Sequence, residues 1–300
     1  MGSWDDVLKN VSGTKSQCDY VRGQSLKKLH EYTKRNVIAY YSAFLNKPGC
    51  GNEDINDSDM TGFMTCVHGL DCDSGLDLIL HTPGGQPEAA ESIINYLRIK
   101  FNNDIRIIVP HMAMSAGTMM ACAGKEIIMG RHSSLGPIDP QFNGIPAYNI
   151  KAEFEDACDD LTNHPERLQF WQIKLSKYPA AFAKTAIDAI ELSTELTTKW
   201  LGTCMFNKKR KSDTRKIVKI VDSLNEHKKS KTHGRHYNVD FCKKIGLKIV
   251  ELESDDALQD LVLSLHHAFF ITFDVTSAKK IIENQNHKAY ICHENRVVGR

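Results

Sequence analysis

Two consecutive strand–turn–helix patterns within residues 76–141 constrain the fold of this chain more than any other feature. In the first, the apolar run 76–80 ends in a Thr-Pro-Gly-Gly turn and is followed by a segment with one apolar face, residues 87–101. The run has the length of a buried strand, and Pro-Gly-Gly stops it. Gly84 and Gly85 can adopt backbone angles that other residues avoid. A glycine turn before a helix can therefore present N–H groups to an anion or a developing oxyanion.

The second pattern repeats this layout with a serine in the turn. Residues 105–110 predict a strand, Ser115 opens a helix of small residues, and residues 126–129 predict the next strand. Serine is a preferred helix cap, but a nucleophile at a strand-to-helix turn also profits from the helix N–H groups. The two turns are about 30 residues apart, as βαβ units require, and their pairing favours the nucleophile.

The rest of the chain fits an α/β protein. Residues 37–45 are β-branched and aromatic and predict a strand, and residues 57–70 predict a helix. Alternating helices and short buried strands predict a mostly parallel sheet. Helices are also predicted over residues 4–11, 22–34, 146–161, 164–178, 181–201, 239–245, 258–265 and 278–284, and strands over 247–252 and 289–292, whereas 270–275 fits either state.

Composition limits the classes of function that this chain can have. The formal net charge is +1, so the protein as a whole does not attract negatively charged nucleic acid or membranes. The basic run 207–231 is interrupted by apolar and acidic residues and predicts a solvated surface helix. The nine cysteines form no CxxC pair, which indicates reduced intracellular thiols. We expect no secretion signal and no membrane span. We also expect no cofactor and no metal, because neither a GxGxxG turn nor ligand spacing such as HExxH occurs.

Three segments carry a resemblance to a known superfamily: LILHTPGG (78–85), VPHMAMSAGTMMACAG (109–124) and IIMGRHSSLGPIDPQ (127–141). They resemble the ClpP/crotonase superfamily, more narrowly the Clp-fold serine proteinases of the SDH (serine dehydrogenase proteinase) type, and more distantly the signal-peptide peptidase SppA. The similarity extends to residues 36–45, 232–252 and 279–291. It implies a ClpP/crotonase-like fold of repeated ββα units. A catalytic domain would cover residues 1–205, and a C-terminal α/β extension, residues 206–300, would pack on the core.

The resemblance also implies an activity, that of a serine peptidase. Ser115 would attack a peptide or protein substrate, and the backbone N–H groups of Gly85 and Ala116 would hold the oxyanion. Clp-fold proteins assemble into rings or stacks, so a homo-oligomer is expected. SppA-like relatives work at membranes, but we expect no membrane anchor here and therefore a soluble cytoplasmic protein.

The sequence does not identify the residue that acts as the general base. The place that corresponds to the histidine of ClpP-like enzymes falls at Asp139 or Pro140, so the usual triad is absent. Lys151 lies close to the position of the SppA lysine, and His111 ends the strand before Ser115, so either is a candidate base, which Asp139 could orient. His132 is interpreted as a turn residue, and His233 and His236 as loop or capping residues.

Two other functions remain open. Crotonase-type relatives use the same N–H groups to hold a thioester enolate, although they need no serine at this turn. The missing triad histidine also allows a catalytically silent or latent assembly or binding protein that keeps the fold.

Overall fold

The computed structural model describes residues 15–225 and 232–294. Its ten α-helices in these ranges are α1 (Lys15–Thr33), α2 (Asp59–Val67), α3 (Pro87–Lys100), α4 (Ala116–Ala121), α5 (Ala147–Asn163), α6 (Leu168–Leu175), α7 (Phe182–Trp200), α8 (Lys211–Asn225), α9 (Val239–Ile245) and α10 (Asp256–Val275). Its strands are β1 (Asn36–Ser42), β2 (Leu76–His81), β3 (Ile105–Val109), β4 (Met112–Ala113), β5 (Ile127–Met129), β6 (Ser134–Leu135), β7 (Gln141–Phe142), β8 (Ile145–Pro146), β9 (Ile249–Glu251), β10 (Ala278–Asn284) and β11 (Ala289–His293).

The main sheet has seven strands in the order β11-β10-β1-β2-β3-β5-β9. Strands β1, β2, β3, β5 and β9 run parallel, whereas β10 and β11 add antiparallel strands at one edge. The parallel strands register apolar residues across the sheet in one row: Ile38, Leu78, Ile107, Ile127 and Ile249. The prediction of a mixed α/β fold with a mostly parallel sheet is confirmed.

Both faces of the sheet are buried, as parallel sheets require. Along β1, Ile38 and Tyr40 belong to one hydrophobic core, and Val37, Ala39 and Tyr41 belong to the other. Residues from α2, α3, α4 and α8 fill the first core, whereas residues from α1 and α10 fill the second. The runs of apolar residues in the strands follow from this burial on both sides.

The predicted helix over residues 278–284 is wrong, because this segment is strand β10. Alanine, lysine and glutamate favour helices locally, but here distant partners decide. Lys280 lies 2.8 Å from Asp59, and Glu283 lies 2.8 Å from Arg22, with all four side chains buried. The pairing with β1 therefore overrides the local propensity.

The structure settles one ambiguous segment and adds smaller elements at two places. Residues 270–275, which fit either state, are the last part of α10. Strands β7 and β8 form a hairpin directly before α5, where no strand was predicted. Strands β4 and β6 form a short parallel pair beside the main sheet. The predicted helix over residues 4–11 lies outside the described residues.

The predicted domain boundary at residues 205/206 stays a prediction. Strands from both sides of this boundary belong to one sheet, since β9 pairs with β5 and β10 pairs with β1. Within the ranges 15–225 and 232–294, no helix combines the length and apolar character that a bilayer crossing needs.

Candidate functional site

The glycine turn and the serine turn meet at the carboxyl edge of neighbouring parallel strands. The chain leaves β2 through Thr82 to the two glycines before α3, and it leaves β3 through β4 to Ser115 before α4. Thr82 N donates to Met112 O at 3.0 Å, and Met114 N donates to Thr82 O at 3.0 Å. These two bonds hold the turns side by side, in the place where α/β sheets bind ligands.

Ser115 has a strained backbone. Its φ is 50° and its ψ is −117°, which is rare for a residue with a side chain. Such strain costs about 1–3 kcal/mol and clusters at functional sites. Two hydrogen bonds fix this turn: Gly117 N donates to Met114 O, and Thr118 Oγ1 donates to Ala113 O, both at 2.7 Å. The strain resembles that of the nucleophile elbow, which exposes a serine at the top of a sheet.

The glycine turn is packed tightly between Ser115 and a second backbone segment. A Cβ on Gly84 would lie 2.7 Å from both Met114 O and Ser115 Cβ, and one on Gly85 would lie 2.3 Å from Ile55 N. Ile55 N donates to Gly84 O at 2.7 Å, and Gln86 N donates to Ile55 O at 2.8 Å. Peptide groups alternate in direction along an extended chain. The N–H of Gly85 therefore points away from Ile55.

Ala116 supplies a second N–H group beside the serine. It is the first residue of α4, so its N–H has no partner within the helix. Gly85, Ser115 and Ala116 all line one cleft. Two backbone donors beside a serine are the arrangement that stabilises a tetrahedral oxyanion.

The cleft has a volume of about 450 Å³ and a largely apolar wall. Met119, Ile138, Phe142, Ala189 and Leu192 form that wall, and the cleft also contains the carboxylates Glu88 and Asp188. Helix α7 contributes five residues to the lining: Thr185, Asp188, Ala189, Leu192 and Ser193. An apolar cleft with a few polar groups is typical of a ligand-binding site.

His233 lies in the same cleft as Ser115. Its Nδ1 is 2.9 Å from Asp139 Oδ1, and Asp139 is fully buried. The other oxygen of Asp139 accepts a 2.7 Å bond from Gln141 Nε2. Burial first, and then the negative charge of Asp139, raise the pKa of Tyr148. The carboxylate is thus held in place and directed at the imidazole.

Lys151 is not brought together with Ser115. It lies on α5, where its half-exposed side chain forms an ion pair with Glu155 at 3.6 Å. It lines a separate surface pocket with Phe154 and Cys158. Ile150, the preceding residue, is buried instead, so the face of α5 that packs inward does not carry the lysine.

His111 is likewise absent from the residues that line the cleft. Its ring stacks on His81, with centroids 5.5 Å apart, and meets His266 edge-on at 5.6 Å. Burial, followed by the charges of His132 and His236, lowers the pKa of His111. His111 therefore belongs to an aromatic cluster between the sheet and α10.

The other two histidines considered in the sequence, His132 and His236, are bound to nearby polar groups. His132 Nε2 lies 3.0 Å from Pro110 O, and His236 Nδ1 lies 2.9 Å from Ser134 Oγ. In the part of the chain that the structure describes, no group of three or more His, Cys, Asp or Glu residues is arranged for a metal ion.

The sequence pattern assigns His233 a loop or capping role, whereas the structure places its side chain beside Asp139 in the cleft. Asp139 stands at the sequence position where ClpP-like enzymes carry their histidine, and the imidazole beside it belongs to residue 233, which is 94 positions further along. The one signal in the sequence was the acidic residue itself, because a buried carboxylate needs a polar partner, which a distant segment can supply.

Comparisons with known proteins relate this chain to one family. The family model described as ClpP-like SDH-type serine proteinase matches residues 15–165. Two relatives come from Methanocaldococcus jannaschii. "Uncharacterized protein MJ0137" is 39% identical over 112 residues, which are 36% of this chain and 39% of the relative. "Uncharacterized protein MJ1495" is 44% identical over 78 residues, which are 26% of each chain.

The matched regions cover less than half the length of these two relatives. The family model, by contrast, covers half of this chain and includes the glycine turn, the serine turn and Asp139. The chain belongs to the family of ClpP-like SDH-type serine proteinases.

Proposed function

We propose that this chain is a serine peptidase in which Ser115 is the nucleophile, His233 the general base and Asp139 the residue that orients His233. The observation that carries the proposal is that Ser115 and His233 line one cleft while His233 Nδ1 lies 2.9 Å from the buried Asp139. Serine hydroxyls are weak nucleophiles, and an adjacent base held by a third group is the usual way to activate them.

The proposed reaction begins with Asp139 accepting the Nδ1–H of His233, which leaves the Nε2 lone pair free. His233 Nε2 takes the Ser115 proton while Ser115 Oγ forms a bond to the substrate carbonyl carbon. The protonated imidazole then gives that proton to the leaving amine as the peptide C–N bond breaks. Water, deprotonated by the same imidazole, hydrolyses the acyl-enzyme ester and restores Ser115.

In this reaction, Gly85 and Ala116 hold the oxyanion. Their N–H groups flank Ser115 in the cleft, and fixed backbone donors need no rearrangement as charge develops on the carbonyl oxygen. Removal of one such donor in known serine peptidases costs about 10²–10³ in kcat. The close packing of Gly84 and Gly85 supports this role, because it keeps the donors in place.

The order of the three residues along the chain is Ser115, Asp139, His233. It differs from the Ser-His-Asp order of ClpP-like enzymes and matches that of α/β-hydrolases. Since a triad is defined by geometry and roles, this order does not weigh against it.

The substrate, assembly and location belong to the same proposal. A peptide or protein substrate is supported by the open apolar cleft. A homo-oligomer follows from the resemblance to Clp-fold proteins, and light scattering after size exclusion tests it. Nine free cysteines, four of them buried, support a reducing cytoplasmic location.

The test is hydrolysis of casein and of chromogenic peptides by the wild type, Ser115→Ala and Ser176→Ala. Ser176 is exposed, bonds to Ile173 O and is absent from the cleft lining, so it serves as the matched control. We expect Ser115→Ala to lose activity at least 10³-fold, roughly the effect of removing a triad member, and Ser176→Ala to retain it. Equal hydrolysis by wild type and Ser115→Ala contradicts the proposal, and binding of acyl-CoA without peptide hydrolysis favours crotonase-type chemistry instead.

A further inference from the structure

A fully buried ion pair lies behind the glycine turn. Lys280 Nζ on β10 is 2.8 Å from Asp59 Oδ1 in the first turn of α2, and both side chains are completely inaccessible to solvent. Buried ion pairs are weak stabilisers, because the cost of removing both charges from water offsets their attraction. The role of this pair therefore depends on the groups that its hydrogen bonds hold in place.

The pair is bonded to the backbone on both sides of Ile55. Lys280 Nζ donates to Asp54 O at 2.6 Å, and Asn56 N donates to Asp59 Oδ2 at 3.1 Å. Tyr40 on β1 donates a third bond, from its hydroxyl to Asp59 Oδ2 at 2.8 Å. The backbone of residues 54–56 is thereby fixed to the sheet.

Ile55 is in turn the residue against which the glycine turn rests. Its N–H and C=O bond to Gly84 O and Gln86 N, the groups on either side of Gly85. Because Gly85 has no Cβ, its backbone approaches Ile55 too closely for any other residue. A displacement of Ile55 therefore also moves the backbone of Gly85, including its N–H group.

The far side of the turn touches the nucleophile. A Cβ on Gly84 would collide with Ser115 Cβ and Met114 O. The turn is thus held between Ser115 and Ile55, and the position of Gly85 relative to Ser115 depends on both supports.

We propose that Asp59 and Lys280 are positioning residues that set the Gly85 N–H for the oxyanion, through the backbone of residues 54–56. This inference rests on the proposed function. Neither side chain reaches the cleft lining, so neither is a catalytic residue. A misplacement of about 1 Å at a reacting centre can cost 10²-fold in rate, so a small shift of Ile55 has a measurable effect.

The same strand offers a matched control. Glu283 on β10 forms an equally buried pair with Arg22 at 2.8 Å, but neither residue bonds to residues 54–56. Asp59→Asn and Glu283→Gln each remove the carboxylate charge of a buried ion pair that has one member on β10. We expect Asp59→Asn to lower kcat about 10–100-fold with KM within about twofold, and Glu283→Gln to change kcat less than threefold.

A second pair of variants covers the case in which Asp59→Asn does not fold. Tyr40→Phe removes the hydroxyl that bonds to Asp59 and also meets the Thr82 side chain, and it keeps the ion pair. Tyr41→Phe removes the neighbouring hydroxyl, which contacts His266 on the opposite face. Both tyrosines are buried. We expect Tyr40→Phe to lower kcat about threefold to tenfold and Tyr41→Phe to leave it unchanged.

The deciding readout is affinity for a peptide boronate, which forms the tetrahedral anion on the serine, compared with the affinity of a product peptide. Loss of boronate affinity in Asp59→Asn or Tyr40→Phe, with product affinity kept and Glu283→Gln or Tyr41→Phe normal, is the expected result. If each variant matches its control, the positioning role is overturned while Ser115-dependent hydrolysis still stands. If the wild type hydrolyses nothing, or Ser115→Ala is as active as wild type, the proposed function fails and this inference falls with it.

Discussion

His233 Nδ1 lies 2.9 Å from Asp139 Oδ1, although 94 residues separate the two along the chain. Asp139 is fully buried and its second oxygen is bonded to Gln141, so the carboxylate cannot turn freely toward other partners. The imidazole is thus held by one nitrogen at a cleft that also contains Ser115. This relationship distinguishes His233 from the other histidines near the site.

The first prediction concerns His233. His233→Ala removes the proposed base, and we expect kcat to fall about 10²–10⁴-fold, the range that general base catalysis contributes. His236→Ala is the matched control, since His236 lies in the same segment and bonds to Ser134 instead. Steady-state hydrolysis of a chromogenic peptide measures both. Comparable rates for the two variants count against His233 as the base.

The second prediction concerns Lys151. Its ion pair with Glu155 and its place on a separate pocket lead us to expect that Lys151→Met changes kcat less than about threefold, as for an exposed pair of small energetic weight. The same peptide assay checks this. A loss as large as that of Ser115→Ala restores the lysine as the base and removes His233 from that role.

The third prediction concerns Gly85. In Gly85→Ala the new Cβ meets Ile55 N and O at 2.3 Å and the residue keeps a φ of +149°, so the turn must move. We expect the free energy of unfolding to fall by about 1–3 kcal/mol and kcat to fall about 10²-fold.

Gly144→Ala separates backbone strain from displacement of the turn. Gly144 also has a positive φ, +79°, but nothing lies within 4 Å of the added Cβ. We expect this variant to lose stability and keep its rate. Urea unfolding and peptide hydrolysis test both variants, and a normal rate in Gly85→Ala argues against an oxyanion role for that turn.

The fourth prediction concerns the pH dependence of stability and the buried histidines between the sheet and α10, His81 and His266. Burial, and then the charge of His111, lower the pKa of His81 to about 3, and burial also lowers the pKa of His266 well below its usual value. In the unfolded chain these imidazoles take up protons near pH 6.5. The unfolded state therefore binds more protons below that pH. We expect stability to be flat above pH 7 and to fall as the pH drops, by up to about 1.4 kcal/mol per pH unit for each such histidine.

Urea unfolding between pH 7.5 and 5 measures this slope. His81→Phe keeps an aromatic ring among Phe44, Phe270 and Tyr41 and removes one titrating group, so its slope is expected to be shallower. His164→Phe changes an exposed histidine and serves as control. A slope in His81→Phe equal to that of the wild type is inconsistent with a neutral buried His81.

Most of the parallel sheet was predictable from local pattern. The apolar runs of β2 and β3 and the turns that end them are written in consecutive residues, because a strand buried on both faces needs a continuous apolar segment. Strand β10 was not predictable in this way. Its Lys280 and Glu283 are buried only because Asp59 and Arg22, more than 200 residues away, neutralise them.

The candidate site also combines local and nonlocal features. The turn of Ser115 and the glycine turn are local features, so motif and spacing pointed to them. The proposed base is a nonlocal feature, since His233 reaches the cleft from the segment before α9. Sequence spacing contains no information on which of several histidines a fold brings to Asp139.

The most direct measurement is fluorophosphonate labelling of the purified protein, with the wild type beside Ser115→Ala and His233→Ala and with the labelled peptide identified by mass spectrometry. We predict labelling at Ser115 in the wild type, none in Ser115→Ala, and a rate slowed about 10²-fold or more in His233→Ala, because the base activates the serine. Labelling that survives Ser115→Ala, or a folded wild type that takes up no probe, contradicts the proposed serine peptidase.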